Sequence, residues 1–116
     1  MQVNDLQHPD RTLRVNKPDW DWEFLRRALH EQARHRTDRD ENQRGARIYR
    51  LSQDMFGESP KLSLSLSEWK LIVEELDDYS THLKYGYSEQ LAAEYQDYAA
   101  ELATLIDQSD GKTDDT

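Results

Sequence analysis

A chain of 116 residues with 35% hydrophobic and 34% charged side chains, a net charge of −9 and no cysteine has the length for one domain with a thin core and long solvated faces. The composition excludes a disulfide-stapled scaffold, and no apolar run approaches the about 18 residues of a membrane-spanning helix. The opening MQVNDLQHPD has neither the positive stretch nor the apolar run of a secretory leader, so the expected setting is the cytoplasm.

Residues 1–18 read as an extended N-terminal arm, broken by His-Pro and Lys-Pro steps around one alternating stretch, Thr12 to Val15. A single helical domain is expected over 19–108. Asp19 offers an N-cap to a first helix reaching roughly Arg36, because Trp22, Leu25, Leu29 and Ala33 recur at the spacing of one apolar stripe. Trp20 and Phe24 fall off that stripe. Glu23, Arg27, Glu31 and His35 alternate in sign on another side.

The same helix carries HEQARHR, residues 30–36, which looks at first like the HExxH signature of a zinc peptidase. That signature needs imidazoles four positions apart on one face. His30 and His35 are five apart, which turns the second ring roughly 140° from the first. His8 and His82 stand alone in sequence, so no metal site or other cofactor is expected, and the histidines of the helix read as surface residues.

After the wholly polar link RTDRD, Asp40 and Gln43 have the spacing of a capping pair for a second helix ending at Phe56, with Gly57 as its left-handed stop. Ile48, Leu51 and Met55 give its buried face, widened by Tyr49 and Phe56, and Gly45 weakens its first turns. In KLSLSLSEW, Leu62, Leu64 and Leu66 alternate with serines as in a half-buried strand, while Ser65 and Glu68 have capping-box spacing. Both signals are met by an extended segment, able to pair with residues 12–15 as a two-stranded ribbon, that feeds a helix from about Ser67 to His82. Trp69, Ile72, Val73, Leu76, Tyr79 and Leu83 form its stripe. Gly86 in KYGY stops it, and Ser88 caps a final helix with Leu91, Tyr95, Tyr98, Leu102, Leu105 and Ile106 inward. A short link predicts that these two helices lie antiparallel. Residues 109–116 are read as a disordered acidic tail. The fold class is thus mainly α, a compact bundle of about four helices ending in an antiparallel hairpin.

Charge divides unevenly. Residues 1–57 hold 11 basic and 10 acidic side chains, net +1, and residues 58–116 hold 4 and 14, net −10. Every arginine lies between Arg11 and Arg50. Arg36, Arg39, Arg44, Arg47 and Arg50 are candidates for phosphate contacts, since a planar guanidinium fork matches that group. Interleaved Asp38, Asp40, Glu41 and Asp54 argue instead for a salt-bridged face.

In the acidic half, Glu74, Asp77 and Asp78 share a helix face, as do Glu94, Asp97 and Glu101 on the next helix. Side by side they would form a broad negative surface that repels nucleic acid and attracts basic proteins. Tyr85 and Tyr87 in the intervening turn are candidate aromatic anchors.

No Gly-rich phosphate loop, nucleophile elbow or cysteine nucleophile is present, so the chain is not expected to be an enzyme. The favoured function is that of a small acidic interaction protein. It would bind and block or sequester a basic protein, such as a nucleic-acid-handling enzyme, as inhibitors, immunity proteins, antitoxins, phage counter-defence proteins and nucleic-acid mimics do. A nucleic-acid-binding regulator using the arginine helix, residues 36–50, ranks second.

Overall fold

Leu13 and Leu64 sit opposite each other in a short antiparallel ribbon. The computed structural model describes residues 11–55 and 63–114, with side chains to residue 109. It pairs β1 (Thr12–Arg14) with β2 (Ser63–Ser65) in the register Thr12 to Ser65, Leu13 to Leu64 and Arg14 to Ser63. The alternation LSLSL turns Leu64 and Leu66 into the core. Leu66 N extends the ribbon by donating to Arg11 O at 2.8 Å. Trp69 Nε1 donates to Leu13 O, also at 2.8 Å, so the N-terminal arm is clasped to the helix that follows β2.

The first helix, α1, spans Trp22–Asp38 and is capped by Asp21, whose Oδ1 accepts from Phe24 N at 3.1 Å. The cap therefore lies two residues beyond Asp19, because the chain is still turning there, with Trp20 N donating to Lys17 O at 3.1 Å. Trp22, Leu25, Leu29 and Ala33 form the buried stripe as the periodicity predicts, joined by Ala28 and Gln32. Trp20 and Phe24 are partly buried and seat the start of α1 on the final helix. Phe24 stacks on Tyr95 with centroids 3.9 Å apart, and Trp20 meets Tyr98 edge-on at 5.1 Å. Burial pushes the Tyr95 phenol pKa up, and its O–H donates to Phe24 O at 2.8 Å.

The link reverses at Asp40, which has φ 65°. Aspartate tolerates the left-handed region better than most residues, and here it serves the reversal rather than capping. The second helix, α2 (Asn42–Asp54), starts after Glu41, which makes no side-chain cap bond; the expected pair of Asp40 and Gln43 is not used. The helix stops at Met55, short of the expected end; Phe56 and Gly57 lie outside the described residues. Ile48, Leu51 and Met55 are buried, whereas Tyr49 is 48% exposed and does not widen the face.

Gly45 has a packing role. A Cβ there would lie 2.7 Å from Thr37 Oγ1 and 3.1 Å from the Ala33 carbonyl, so glycine allows α2 to approach α1. Gly45→Val should destabilise the fold by about 1 to 3 kcal/mol through overpacking, although valine is the better helix former. A urea midpoint at or above that of the wild type would contradict this close approach.

Ser65 and Glu68 form both halves of the capping box that opens α3 (Leu66–Gly86). This helix begins one residue before Ser67 and continues beyond His82 to the glycine that sequence marks as its stop. Ser88 Oγ then accepts from Leu91 N at 3.2 Å, capping α4 (Glu89–Asp114). Helical backbone continues past Gln108 to Asp114, since an established hydrogen-bond ladder propagates one residue at a time.

α3 and α4 pack closely as an antiparallel hairpin, and α1 pairs with α2 in a second. The buried face of α4 is Ala92, Tyr95, Ala99, Leu102 and Ile106. Small alanines permit close approach to α3, where Ser80 Oγ donates to Ala92 O at 3.1 Å. Leu91 is consequently turned outward, and Tyr98 and Leu105 flank the contact.

Candidate partner-binding surface

The acidic and basic halves of the chain meet in a network that ties α1, α2 and α3 together. Its centre is Glu75, a carboxylate with 0% exposure. Arg36 Nε donates to its Oε1 at 3.3 Å, Arg44 Nε to its Oε2 at 2.6 Å and Gln32 Nε2 to its Oε1 at 2.8 Å. Arg36 also pairs with Glu41 at 3.1 Å and Asp78 at 3.3 Å, and Arg44 with Glu74 at 3.0 Å. Burial acts to lower the pKa of both guanidiniums, but the hydrogen bonds to Glu41, Glu74 and Glu75 and the surrounding carboxylates raise it overall. A buried ion must be compensated in this way, because desolvation alone costs several kcal/mol, on the order of the whole fold's stability.

Four sequence candidates are therefore held internally. Arg36 and Arg44, from the arginine set, and Glu74 and Asp78, from the acidic set, are each other's partners or partners of Glu75. Arg39, Arg47 and Arg50 are exposed and have no carboxylate partner among the described residues.

The remaining acids divide between two sides of α4. Asp77 accepts from Gln96 Nε2 at 3.0 Å along the α3–α4 seam. Glu94, Asp97 and Glu101 project about 100° to 160° round the helix from Gln96. The two stripes consequently do not lie side by side. Glu101 has Lys17 at 3.7 Å, whereas Glu94 and Asp97 are exposed with no cationic partner among the described residues.

Tyr85 and Tyr87 lie at the tip of the α3–α4 hairpin, 80% and 77% exposed, and Leu91 beside them is 40% exposed. Lys84 Nζ rests 5.7 Å from the centre of the Tyr85 ring. Sequence placed Leu91 in the core and so missed its place at the tip. It also missed Glu75 and Gln32, although Gln32 stands seven residues after Leu25 on the buried stripe, a signal that a polar side chain would need a buried partner.

Neither histidine of HEQARHR is a plain surface residue: His30 packs at 5.8 Å from Tyr49, and His35 lies 5.1 Å from His82 across the α1–α3 boundary. Among the described residues no three His, Cys, Asp or Glu side chains gather as a metal site would require, and no helix is long and apolar enough to cross a membrane.

No protein-family model, curated protein or solved structure matches the chain. The surface must therefore be interpreted from its own chemistry. Its outer part combines an amphipathic aromatic tip with carboxylates, Glu94 and Asp97, that have no cationic partner among the described residues.

Proposed function

We propose that this chain is a small acidic interaction protein that binds a basic surface on another protein and blocks or sequesters it. The observation that carries this reading is the clustering of exposed apolar groups. Among the described residues, Tyr85, Tyr87 and Leu91 are three of the four exposed large hydrophobics, and they adjoin the helix face bearing Glu94 and Asp97. Exposed tyrosines supply contact area at low entropic cost, while the carboxylates steer encounter. The total charge of −9 extends that steering over the whole molecule.

The working surface in this reading is the tip and outer face of α4. Glu74, Asp77 and Asp78 contribute to the field at a distance. A nucleic-acid-handling enzyme, whose phosphate groove is basic, is a suitable class of partner, so the block could act by nucleic-acid mimicry as an inhibitor, antitoxin, immunity or phage counter-defence protein does. The cysteine-free chain suits a reducing cytoplasm. The absence of a catalytic signature in the sequence supports a role as a binder rather than an enzyme.

The second reading, a nucleic-acid-binding regulator, rests on Arg39, Arg47 and Arg50 after the internal pairing of Arg36 and Arg44. A mobility-shift assay at about 0.1 M salt, where the screening length is near 10 Å, separates the two. With mixed DNA and RNA the wild-type chain should form no complex. With a basic partner isolated from the native host, Glu94→Gln, Asp97→Gln and Glu101→Gln together should slow association about tenfold at low salt, and high salt should reproduce the loss. A salt-sensitive nucleic-acid complex that survives those changes, but disappears with Arg39→Gln, Arg47→Gln and Arg50→Gln, would move the working surface to α2 and its preceding link.

A further inference from the structure

We propose that the cleft between the C-terminal end of α1 and the late turns of α3 binds a small tetrahedral oxyanion of the phosphate class. None of its lining residues belongs to the partner surface at the hairpin tip and on α4, although Tyr87 of that tip packs against His82, and the site does not depend on that function.

The cleft has a volume of about 140 Å³. A cavity position for one water takes roughly 10 to 15 Å³, so a five-atom anion fits with part of its hydration shell. His35, Arg36 and Arg39 line it from α1, and Asp78, Thr81 and His82 from α3.

The charges of Arg36 and Asp78 are already matched. Asp78 Oδ2 accepts from Gln32 Nε2 at 2.8 Å and from Arg36 Nη2 at 3.3 Å, while Glu75 behind it is shared by Arg36 and Arg44. Arg39, His35 and His82 are not matched. Arg39 has no carboxylate partner, and neither histidine has a hydrogen bond, among the described residues. This places an unspent guanidinium beside two unspent imidazoles in one concavity of an otherwise acidic molecule.

The histidine geometry gives the site its most specific property. The rings of His35 and His82 are 5.1 Å apart and tilted by 59°, and the Tyr87 ring lies 5.7 Å from His82. Two imidazolium ions at that separation repel, and Arg36 and Arg39 add to the repulsion from α1. On α3, Asp78 opposes it, but its carboxylate is shared with Arg36 and Gln32. An anion held at the edges of both rings offsets that repulsion. It accepts N–H bonds from both histidines and from the Arg39 fork.

Sulfate is the appropriate probe because it is dianionic at neutral pH. Titrated into the full chain and followed by the NMR shifts of the histidine Hε1 protons, it should bind saturably. His82→Gln and Arg39→Gln, both at exposed positions, should each weaken binding about tenfold while leaving the circular dichroism melt unchanged. Phosphate should bind at the same residues. Malonate, a dicarboxylate of similar charge, should bind more weakly than sulfate; tighter binding would overturn the phosphate-class assignment. Absence of saturation, equal shifts with chloride at matched ionic strength, or unchanged affinity in both variants would overturn the site itself.

Discussion

Glu75→Ala should lower the stability of the fold by about 3 to 5 kcal/mol, the cost of removing one partner from a buried ionic network. Glu75 has no exposure and receives Gln32, Arg36 and Arg44 from two other helices. Without it, Arg36 retains Glu41 and Asp78 and Arg44 retains Glu74, but those acids sit toward solvent. Both guanidiniums would have to swing outward, leaving a polar-walled gap in the middle of the bundle. Glu74→Ala, at a carboxylate whose side chain is 64% exposed, should cost less than about 1 kcal/mol. Urea unfolding at constant slope distinguishes the two, and equal midpoints for both variants would show that Glu75 is not the centre of the network.

Trp69→Ala should cost a similar about 3 to 5 kcal/mol, by a different route. The indole has 0% exposure, lies 6.4 Å from the Trp22 ring and donates to Leu13 O. Truncation removes core contact and leaves the Leu13 carbonyl without that donor. It should therefore loosen β1 before it loosens the helices. Faster amide exchange at the ribbon than across α3 and α4 is the expected signature. A loss of less than about 1.5 kcal/mol, the lower bound for a well-buried large side chain, would mean that the site collapses around the gap.

Much of this arrangement was legible because local rules agreed. The Ser65–Glu68 capping box, the Ser88 cap and the inward turn of Leu64 and Leu66 each read the same way in sequence and in three dimensions, while Leu62 lies outside the described residues. The failures arise where tertiary contacts decide between equivalent local signals. Asp19 and Asp21 are both competent caps, and the turn at Lys17 to Trp20 chooses the second. Leu91 fits the apolar period of α4, yet Ala92 and Ala99 set the closer helix contact and rotate the leucine outward. For the candidate surface, sequence located the acidic helices and the exposed tyrosines but could not assign acids to partners. Asp77 and Asp78 are neighbours in the chain, but successive helical side chains diverge by about 100°, so one turns to α4 and the other to Arg36.

Arg11 Nη2 donates to Ser109 O at 3.4 Å, which brings the described start of the chain against the late turns of its last helix. Segments 98 positions apart that touch in this way suit a circular permutation of the described residues. Residue 11 could be joined to the end of α4 by a short flexible peptide and new ends opened at the exposed reversal around Asp40, between α1 and α2. In such a rearranged chain α1 would become the last helix, reached from β1, and α2 the first. The Glu75 network would then have to recover Arg36 and Arg44 from opposite ends of the sequence. The permutant thereby turns a static contact into a measurement of how much the α1–α2 connection contributes to assembly.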